Sequence, residues 1–204
     1  VSRHIKYEDI DFNGTKLFEE QDGDVLNIFN KRGYHVMKIK NLEIKNTDNT
    51  DTSIRLINTH MNTLTKGQIN MKMYPIKCSC RESQIREMEE ATKDAHFCIV
   101  GGDFNTVECH DEFHFAEYGL VDSMRHFNNE DCTWDLENEL TFKSDITDRN
   151  ARLDYILVKN LCLRSAKVVC NKSPASDHYA IFTIIDLSNK TKNKKKKEKK
   201  NEKD

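Results

Sequence analysis

The sequence predicts an α+β fold in which two β-sheets pack together and helices cover them. Apolar and polar residues alternate in several short segments, helical segments lie between these, and the sequence contains no internal repeat. A chain of 204 residues is about the size of one domain. We therefore expect a folded domain over residues 1–187, followed by a disordered Lys-rich tail over residues 188–204.

The strands are predicted by alternation of apolar and polar side chains, which is the period of a half-buried strand. Residues 34–45 and 53–58 alternate on either side of turn-forming residues 46–51, so we expect a hairpin there. Residues 96–100 form a continuous apolar run typical of a strand buried on both faces, which the following glycine pair should end. Later strands are expected at residues 152–158, 164–170 and 180–186.

Two helices are predicted from the spacing of apolar residues and from end signals. Ser79 and Glu82 have the spacing of a capping box, and apolar residues recur behind them, so we expect a helix over residues 80–93. A second helix is expected over residues 111–118, closed by Gly119. Residues 61–80 are irregular and Met-rich, and they predict a long surface loop.

Charge is distributed unevenly along the chain. Residues 190–204 contribute +6 to a total of −2, so the rest of the chain carries about −8. An acidic body disfavours a protein that holds nucleic acid by phosphate neutralisation alone. The seven cysteines lack the spacing of a disulfide framework, which favours an intracellular location. The chain opens with Val1 rather than Met, which leaves secretion open.

Four polar clusters lie at the ends of predicted strands, where a rigid scaffold can hold catalytic groups. A single cluster of this kind is ambiguous, because a lone histidine or aspartate at a strand end is commonly a capping or turn residue. A carboxylate inside an apolar strand is a stronger signal, because a buried charge needs a partner. The clusters contain Asn58 and His60, Asp103 and Asn105, Asp154, and Asp177 and His178.

In this order, the four clusters resemble the motifs of the endonuclease/exonuclease/phosphatase superfamily, and the resemblance spans nearly all of residues 1–187. It implies a four-layer β-sandwich flanked by helices and a phosphodiesterase that uses Mg²⁺ or Mn²⁺. The superfamily motifs are Ile57-Asn-Thr-His60, Val100-Gly-Gly-Asp-Phe-Asn105, Leu153-Asp-Tyr-Ile156 and Ser176-Asp-His-Tyr179. Further segments similar to neutral and bacterial-type sphingomyelinases are Asn30-Lys-Arg-Gly-Tyr34, Arg81-Glu-Ser-Gln-Ile85, and Thr133-Trp-Asp135 with Asn138.

The resemblance also implies roles for individual residues. His178 would be the general base for the attacking water, and Asp154 would hold the other nitrogen of its ring. His60 and Asn105 would bind the substrate phosphate. The implied catalytic residues are His178, Asp154, His60, Asp103 and Asn105, and the implied metal ligands are Asp103, Asn105, Asp177 and His178.

Members of this superfamily also carry a Gln-Glu pair on an early strand, whose Glu anchors the principal metal ion. Residues 1–33 contain no match, since Glu19-Glu-Gln21 has the reverse order. The segment Ser2-Arg-His-Ile5 resembles the stretch just after that pair. We therefore expect a partial catalytic domain, its C-terminal two-thirds, which lacks the first strands and has little or no activity by itself.

Three functions remain open at this point. A phosphodiesterase for a sphingomyelin-like phospholipid is favoured, and a nuclease or another phosphatase of the superfamily is the second interpretation. The absent Glu motivates the third, a catalytically inactive module. Three interpretations of the Lys-rich tail stay open: a solvated disordered segment, a contact with anionic membranes at about 1 kcal/mol per Lys near the surface, and attraction of nucleic acid or a nuclear signal. We expect a monomer, and we expect a lipid partner rather than nucleic acid.

Overall fold

The computed structural model describes residues 7–18, 32–40, 42, 53–62, 74–106, 115–141 and 150–187. Short 3-10 helices span Tyr7–Asp9 and Phe115–Tyr118, and the α-helices are α1 (Tyr74–Thr92) and α2 (Ser123–His126). The strands are β1 (Ile10–Leu17), β2 (Gly33–Ile39), β3 (Ile54–His60), β4 (Phe97–Asp103), β5 (Val121–Asp122), β6 (Asp154–Lys159), β7 (Cys162–Val169) and β8 (Ala180–Asp186).

Within these residues the strands form two sheets. Six strands make a mixed sheet in the order β1-β2-β3-β4-β6-β5, and β7 pairs with β8 in a separate sheet. Neighbours in the large sheet run antiparallel except β3 and β4, which are parallel. A parallel pair needs a crossover, and α1 lies in the connection between the two strands. The α+β class is therefore confirmed at this level, while the four-layer arrangement stays an expectation.

The main core lies between the large sheet and α1. Ile85 and Met88 of α1 belong to the same buried cluster as Ile57 of β3 and Val100 of β4. The central strands β3 and β4 are thereby fixed from one face, which keeps their ends in a defined position. The second sheet is joined to the rest through α2, whose Ser123 hydroxyl lies 3.0 Å from the Thr183 hydroxyl of β8.

The hairpin expected from the sequence is confirmed as an antiparallel pair. β2 and β3 pair from Gly33 opposite His60 to Ile39 opposite Ile54. The turn expected at residues 46–51 lies outside the described residues. Strand β1, which the sequence did not predict, pairs with β2 through a bulge between Phe12 and Gly14. The bulge and the exposed Phe12 side chain break the alternation on which strand prediction depends.

The expected start of the first helix was wrong. Helix α1 begins at Tyr74, so Ser79 lies inside the helix and residues 74–80 are not a loop. Proline is tolerated in the first helical turn, because it lacks only an N–H that has no partner inside the helix. Pro75 is the second residue of α1 and marks this start better than the capping-box spacing does. Residues 63–73 lie outside the described part.

The expectation that the glycine pair ends the buried strand was also wrong, because β4 continues through Gly101 and Gly102 to Asp103. Gly102 has φ +139°, and a Cβ there would collide with the carbonyl oxygen of Thr59 on β3. Glycine is therefore needed for the close approach of two neighbouring strands. This continuation carries Asp103 to the strand end.

The later elements follow the sequence closely. β8 has the expected bounds, while β6 begins at Asp154, two residues later than expected. Of the helix expected over residues 111–118, the described part is a 3-10 helix that ends before Gly119, whose φ is +73°. The Lys-rich tail lies outside the described residues. None of the described helices is both long enough and apolar enough to cross a bilayer.

Candidate active site

Strand register brings three of the expected site residues side by side at one edge of the large sheet. His60 ends β3 opposite Asp103 at the end of β4, and Asp103 in turn lies opposite Asp154 at the start of β6. Neighbouring strands are about 4.8 Å apart, so three adjacent strand ends concentrate these side chains in one small region. The register, and not a flexible loop, sets their spacing.

His178 completes the group from the loop that precedes β8. Its Nδ1 lies 2.7 Å from Oδ2 of Asp154, and the two side chains are 21% and 22% exposed. Burial alone would lower the pKa of His178, but the hydrogen bond and the negative charge of Asp154 outweigh it and raise that pKa above 6.5. A neutral His178 that donates Nδ1–H to Asp154 presents Nε2 as a base.

Asp103 lies in the middle of the group and is 16% exposed. Burial, and then the negative charge of Asp154, raise the pKa of Asp103 to about 6. Ligand atoms of Asp103, Asp154 and His178 all lie within 4.8 Å of one another. Two carboxylates this close repel each other, and a bound cation would relieve that repulsion.

Asn105 is held against Asp103 by a tight turn. Its φ is +49°, a conformation that asparagine tolerates better than most residues, and its backbone N–H donates to Asp103 Oδ1 at 2.8 Å. The side-chain Nδ2 donates to the Met61 carbonyl at 2.9 Å and to Asp103 Oδ2 at 3.2 Å. The amide oxygen is therefore the group that Asn105 offers to a cation, and donation to a phosphate requires the exchange of one of these bonds.

His60 has a different environment from His178. Its Nε2 lies 3.3 Å from Asp103 Oδ2, and Arg32 Nη1 lies 2.7 Å from its Nδ1. Desolvation and then the positive charges of Arg32 and His178 lower the pKa of His60 to about 4. His60 is therefore neutral near pH 7, and its one N–H is a hydrogen-bond donor.

Arg32 is the residue that the sequence interpretation missed. Arg32 directly precedes β2. The sequence analysis included it in the segment Asn30-Lys-Arg-Gly-Tyr34 but gave it no role in the site. Gly33 pairs with His60 across the sheet, so the register carries the neighbouring guanidinium to the site. The only sequence signal for Arg32 at the site was its position next to the glycine that starts β2. That position does not give the direction of a long side chain.

The expected metal ligand Asp177 is placed differently from the others. Its side chain is exposed, its Oδ1 accepts a hydrogen bond from the Ser176 hydroxyl at 3.0 Å, and it is not one of the three residues whose ligand atoms converge. Among the described residues, the structure brings His60, Asp103, Asn105, Asp154 and His178 together and leaves Asp177 at the margin.

The donor set fits a hard divalent cation. Carboxylate and amide oxygens are the ligands that Mg²⁺ and Mn²⁺ prefer, and Asp103, Asp154 and Asn105 offer them within one group. The group therefore combines oxygen ligands suited to a divalent cation with an imidazole oriented by a carboxylate.

Comparison with known proteins agrees with this chemistry. The sequence profile of the endonuclease/exonuclease/phosphatase family matches residues 81–178, which include two of the four motifs in full and Ser176-Asp-His178 of a third. The search of curated proteins found no match. The match to the profile, together with the fold, supports the assignment of this chain to that superfamily, whose members are hydrolases that act on phosphoesters and typically depend on a divalent metal.

Solved structures share the fold at low sequence identity. TDP2 of D. rerio, in complex with a single-strand DNA product, has a TM-score of 0.59 and 15% identity over 88% of this chain and 69% of that one. SmcL has a TM-score of 0.60 and 21% identity over 84% of this chain and 64% of that one. The mannosyl-6-phosphatase Bt3783 of Bacteroides thetaiotaomicron has a TM-score of 0.54 and 16% identity over 89% and 68%.

Proposed function

We propose that this chain carries the catalytic centre of a divalent-metal-dependent phosphodiesterase whose substrate is a sphingomyelin-like phospholipid. The observation that carries the proposal is the 2.7 Å contact between His178 Nδ1 and Asp154 Oδ2, next to the buried carboxylate of Asp103. A paired and oriented imidazole beside a carboxylate cluster suits the attack of water on a phosphoester.

His178 acts as the general base. Its Nε2 takes a proton from water while the water oxygen bonds to phosphorus, and the bond from phosphorus to the lipid oxygen breaks. The lipid oxygen leaves and takes up a proton from solvent. Asp154 holds Nδ1–H throughout, which fixes the tautomer and stabilises the imidazolium that forms.

His60 acts on the phosphate as a neutral donor. Its low pKa keeps a single N–H on the ring near pH 7, so it can donate to a non-bridging oxygen as charge builds there. Arg32 reinforces this role because its positive charge disfavours a second proton on His60.

Asp103 and Asn105, with Asp154 alongside, would hold the divalent cation. When bound there, the cation would supply charge stabilisation for the phosphate oxygens. Asp177 would assist from the margin of the group, through the negative charge that it places near His178.

The lipid substrate is supported by the sequence. Thr133-Trp-Asp135 followed by Asn138 resembles the sphingomyelinases, and the acidic body disfavours a nucleic-acid substrate. The Lys-rich tail would bring the enzyme to an anionic membrane surface. The protein would work as a monomer.

A substrate panel on the full-length protein tests the proposal, since the partial domain is expected to have little or no activity by itself. Sphingomyelin, lysophosphatidylcholine, abasic duplex DNA and an inositol phosphate are compared with and without Mg²⁺, with His178→Ala as the inactive control. We expect Mg²⁺-dependent release of phosphocholine from sphingomyelin at the highest rate. Faster turnover of DNA or of the inositol phosphate would overturn the lipid assignment. Absence of turnover with every substrate and with both Mg²⁺ and Mn²⁺ would support the inactive module.

A further inference from the structure

One segment outside the metal-binding group contacts both halves of the His178–Asp154 pair. The segment runs from Thr133 to Thr141 and contains four fully or almost fully buried polar or aromatic residues. Thr133, Trp134, Asn138 and Thr141 are 0%, 2%, 2% and 5% exposed. Buried polar side chains are costly unless they form hydrogen bonds, so their partners indicate what the segment holds.

The first set of partners belongs to the loop that carries His178. Nδ2 of Asn138 donates to the carbonyl oxygens of Ser176 at 3.0 Å and Asp177 at 3.2 Å. The hydroxyl of Thr141 donates to the same Asp177 carbonyl at 3.1 Å. These two carbonyls belong to the two residues directly before His178. The side chains of Asn138 and Thr141 supply the hydrogen bonds that a neighbouring strand would otherwise give to this backbone.

The orientation of the Asn138 amide is itself fixed. Its Oδ1 accepts the backbone N–H of Leu140 at 3.0 Å, so the oxygen must point toward Leu140 and the nitrogen toward the loop. A rotated amide would face two carbonyls with an oxygen and leave the Leu140 donor unpaired. The Asn138 amide therefore has one orientation that satisfies all of these hydrogen bonds. In that orientation its nitrogen holds the two carbonyls of the loop before His178.

The second set of partners belongs to the strand that carries Asp154. The Thr133 hydroxyl oxygen accepts the backbone N–H groups of Leu153 at 3.0 Å and Asp154 at 3.2 Å. The Thr133 carbonyl accepts the N–H of Tyr179 at 2.8 Å, directly after His178. Thr133 therefore contacts the backbone on both sides of the catalytic pair.

Trp134 adds an apolar contact between the same two parts. It pairs as an isolated bridge with Ala151 on one side and with His178 on the other. Its ring lies 5.0 Å from the His178 ring in an edge-to-face arrangement. Such pairs contribute beyond simple burial and restrict the orientation of the imidazole.

We infer that residues 133–141 are the positioning element of the site, and that Asn138 and Thr141 align His178 with Asp154 by fixing the Ser176 and Asp177 carbonyls. Neither residue touches the reacting atoms in this role. The expected effect of this alignment on catalysis rests on the proposed function, whereas its expected effect on the imidazole tautomer does not. Misplacement of a catalytic group by about 1 Å can cost on the order of 100-fold in rate.

The test uses matched substitutions in the otherwise unchanged chain. Thr141→Val removes the hydroxyl donor and keeps the shape, while Thr141→Ser keeps the donor. Asn138→Asp keeps the oxygen that faces Leu140 and replaces the amide donor by an acceptor. Ser123→Ala is the stability control, since this buried hydroxyl bonds to Thr183 and lies outside the loop and the pair.

The first readout is the tautomer of His178, from imidazole ¹⁵N shifts at a pH where the ring is neutral, assigned by their loss in His178→Gln. We expect one tautomer, protonated on Nδ1, in the unaltered chain, Thr141→Ser and Ser123→Ala, and a mixture in Thr141→Val and Asn138→Asp. An unchanged tautomer in Thr141→Val overturns the inference, and so does a mixture in the unaltered chain. This readout needs no turnover, and it decides the inference even if Asn138→Asp does not fold.

The second readout separates positioning from binding. In Thr141→Val and Asn138→Asp we expect kcat to fall about 10- to 100-fold while KM changes less than about 2-fold. Thr141→Ser should restore kcat, and Ser123→Ala should lower the melting temperature without changing kcat. Equal losses of melting temperature in all variants with kcat unchanged would overturn the inference. If no substrate is turned over, the proposed function fails while the tautomer result still stands.

Discussion

The two histidines of the site occupy opposite electrostatic environments although both lie next to Asp103. His178 faces the carboxylate of Asp154, which raises its pKa against the effect of burial. His60, whose side chain is still 52% exposed, faces the guanidinium of Arg32; partial desolvation and then the charge of Arg32 lower its pKa to about 4. Burial acts in the same direction on both rings, so the surrounding charges, chiefly Asp154 for His178 and Arg32 for His60, set their pKa values apart.

Under the proposed mechanism, this difference assigns proton acceptance to His178 and hydrogen-bond donation to His60. A ring with a raised pKa accepts a proton readily, and a ring kept neutral donates a hydrogen bond without giving up its proton. This division follows from the strand positions, because Arg32 precedes β2 and His60 ends β3, whereas Asp154 begins β6 and His178 precedes β8.

The largest expected effect is the loss of the base. His178→Ala should lower kcat by about 10²- to 10⁴-fold, because a positioned general base contributes that much. Turnover of sphingomyelin with Mg²⁺ measures it, and His126→Ala, an exposed histidine on α2, serves as the control. A His178→Ala variant that keeps more than a tenth of the activity would contradict the role of His178.

The next effect concerns the donor side. His60→Gln should lower kcat by about 10²- to 10³-fold, the range for loss of one donor to a developing charge. The acid limb of its pH–rate profile should not move, because His60 is already neutral at the pH where that limb lies. The control is His35→Gln, an exposed histidine on β2. A shift of the acid limb in His60→Gln would show that this limb reports the titration of His60 and not that of His178.

The difference in pKa between His178 and His60 is reduced by replacing the charged neighbour of each ring in turn. Asp154→Asn should lower the pKa of His178, because burial remains and the opposing carboxylate is gone. Arg32→Met should raise the pKa of His60, because one of the charges that oppose protonation is removed. Titration of both rings by NMR measures the change, and unchanged values would show that other groups set them.

The smallest effect is on stability and is tested by thermal unfolding with and without Mg²⁺. The folded-state pKa of Asp103, about 6, lies above its ordinary value of 3.8, so the free energy of unfolding falls as the pH rises through this interval. Above pH 6 the cation meets an ionised carboxylate, while below it the cation must displace a proton. We expect a melting-temperature increase of about 3–6 °C at tenfold excess of Mg²⁺ over Kd at pH 7.5, and less at pH 5.

Two substitutions complete that measurement. Asp103→Asn should abolish the Mg²⁺-dependent increase in melting temperature. Glu130→Gln, which replaces an exposed carboxylate outside the site, should leave that increase unchanged. An equal increase at both pH values would show that Mg²⁺ binds elsewhere on this acidic chain.

The sequence predicted the grouping of the site better than the bounds of the elements. His60 and Asp103 end strands and Asp154 opens one, and strand register alone brings such positions together. Their catalytic and metal-binding roles remain predictions. The sequence could not place Arg32 in the site, because a long side chain beside a strand start has many accessible directions.

Other differences arose where tertiary contacts outweighed local preference. The Gly101-Gly102 pair has the composition of a turn, yet the close approach to Thr59 makes glycine a requirement of the strand. The capping-box spacing at Ser79 and Glu82 also occurs inside a helix, where Pro75 was the more useful signal. Strand β1 was missed because its bulge shifts the register on which periodicity depends.

The order of strands in the large sheet has a consequence for folding. The groups of the site come from positions 60, 103, 154 and 178, and the parallel pairing of β3 with β4 joins segments that are distant in the chain. Contacts of such high sequence separation form late, because loop-closure entropy opposes them until much of the topology is in place. A partly folded chain therefore has no competent centre, and turnover per molecule would report the fraction that has completed the whole sheet.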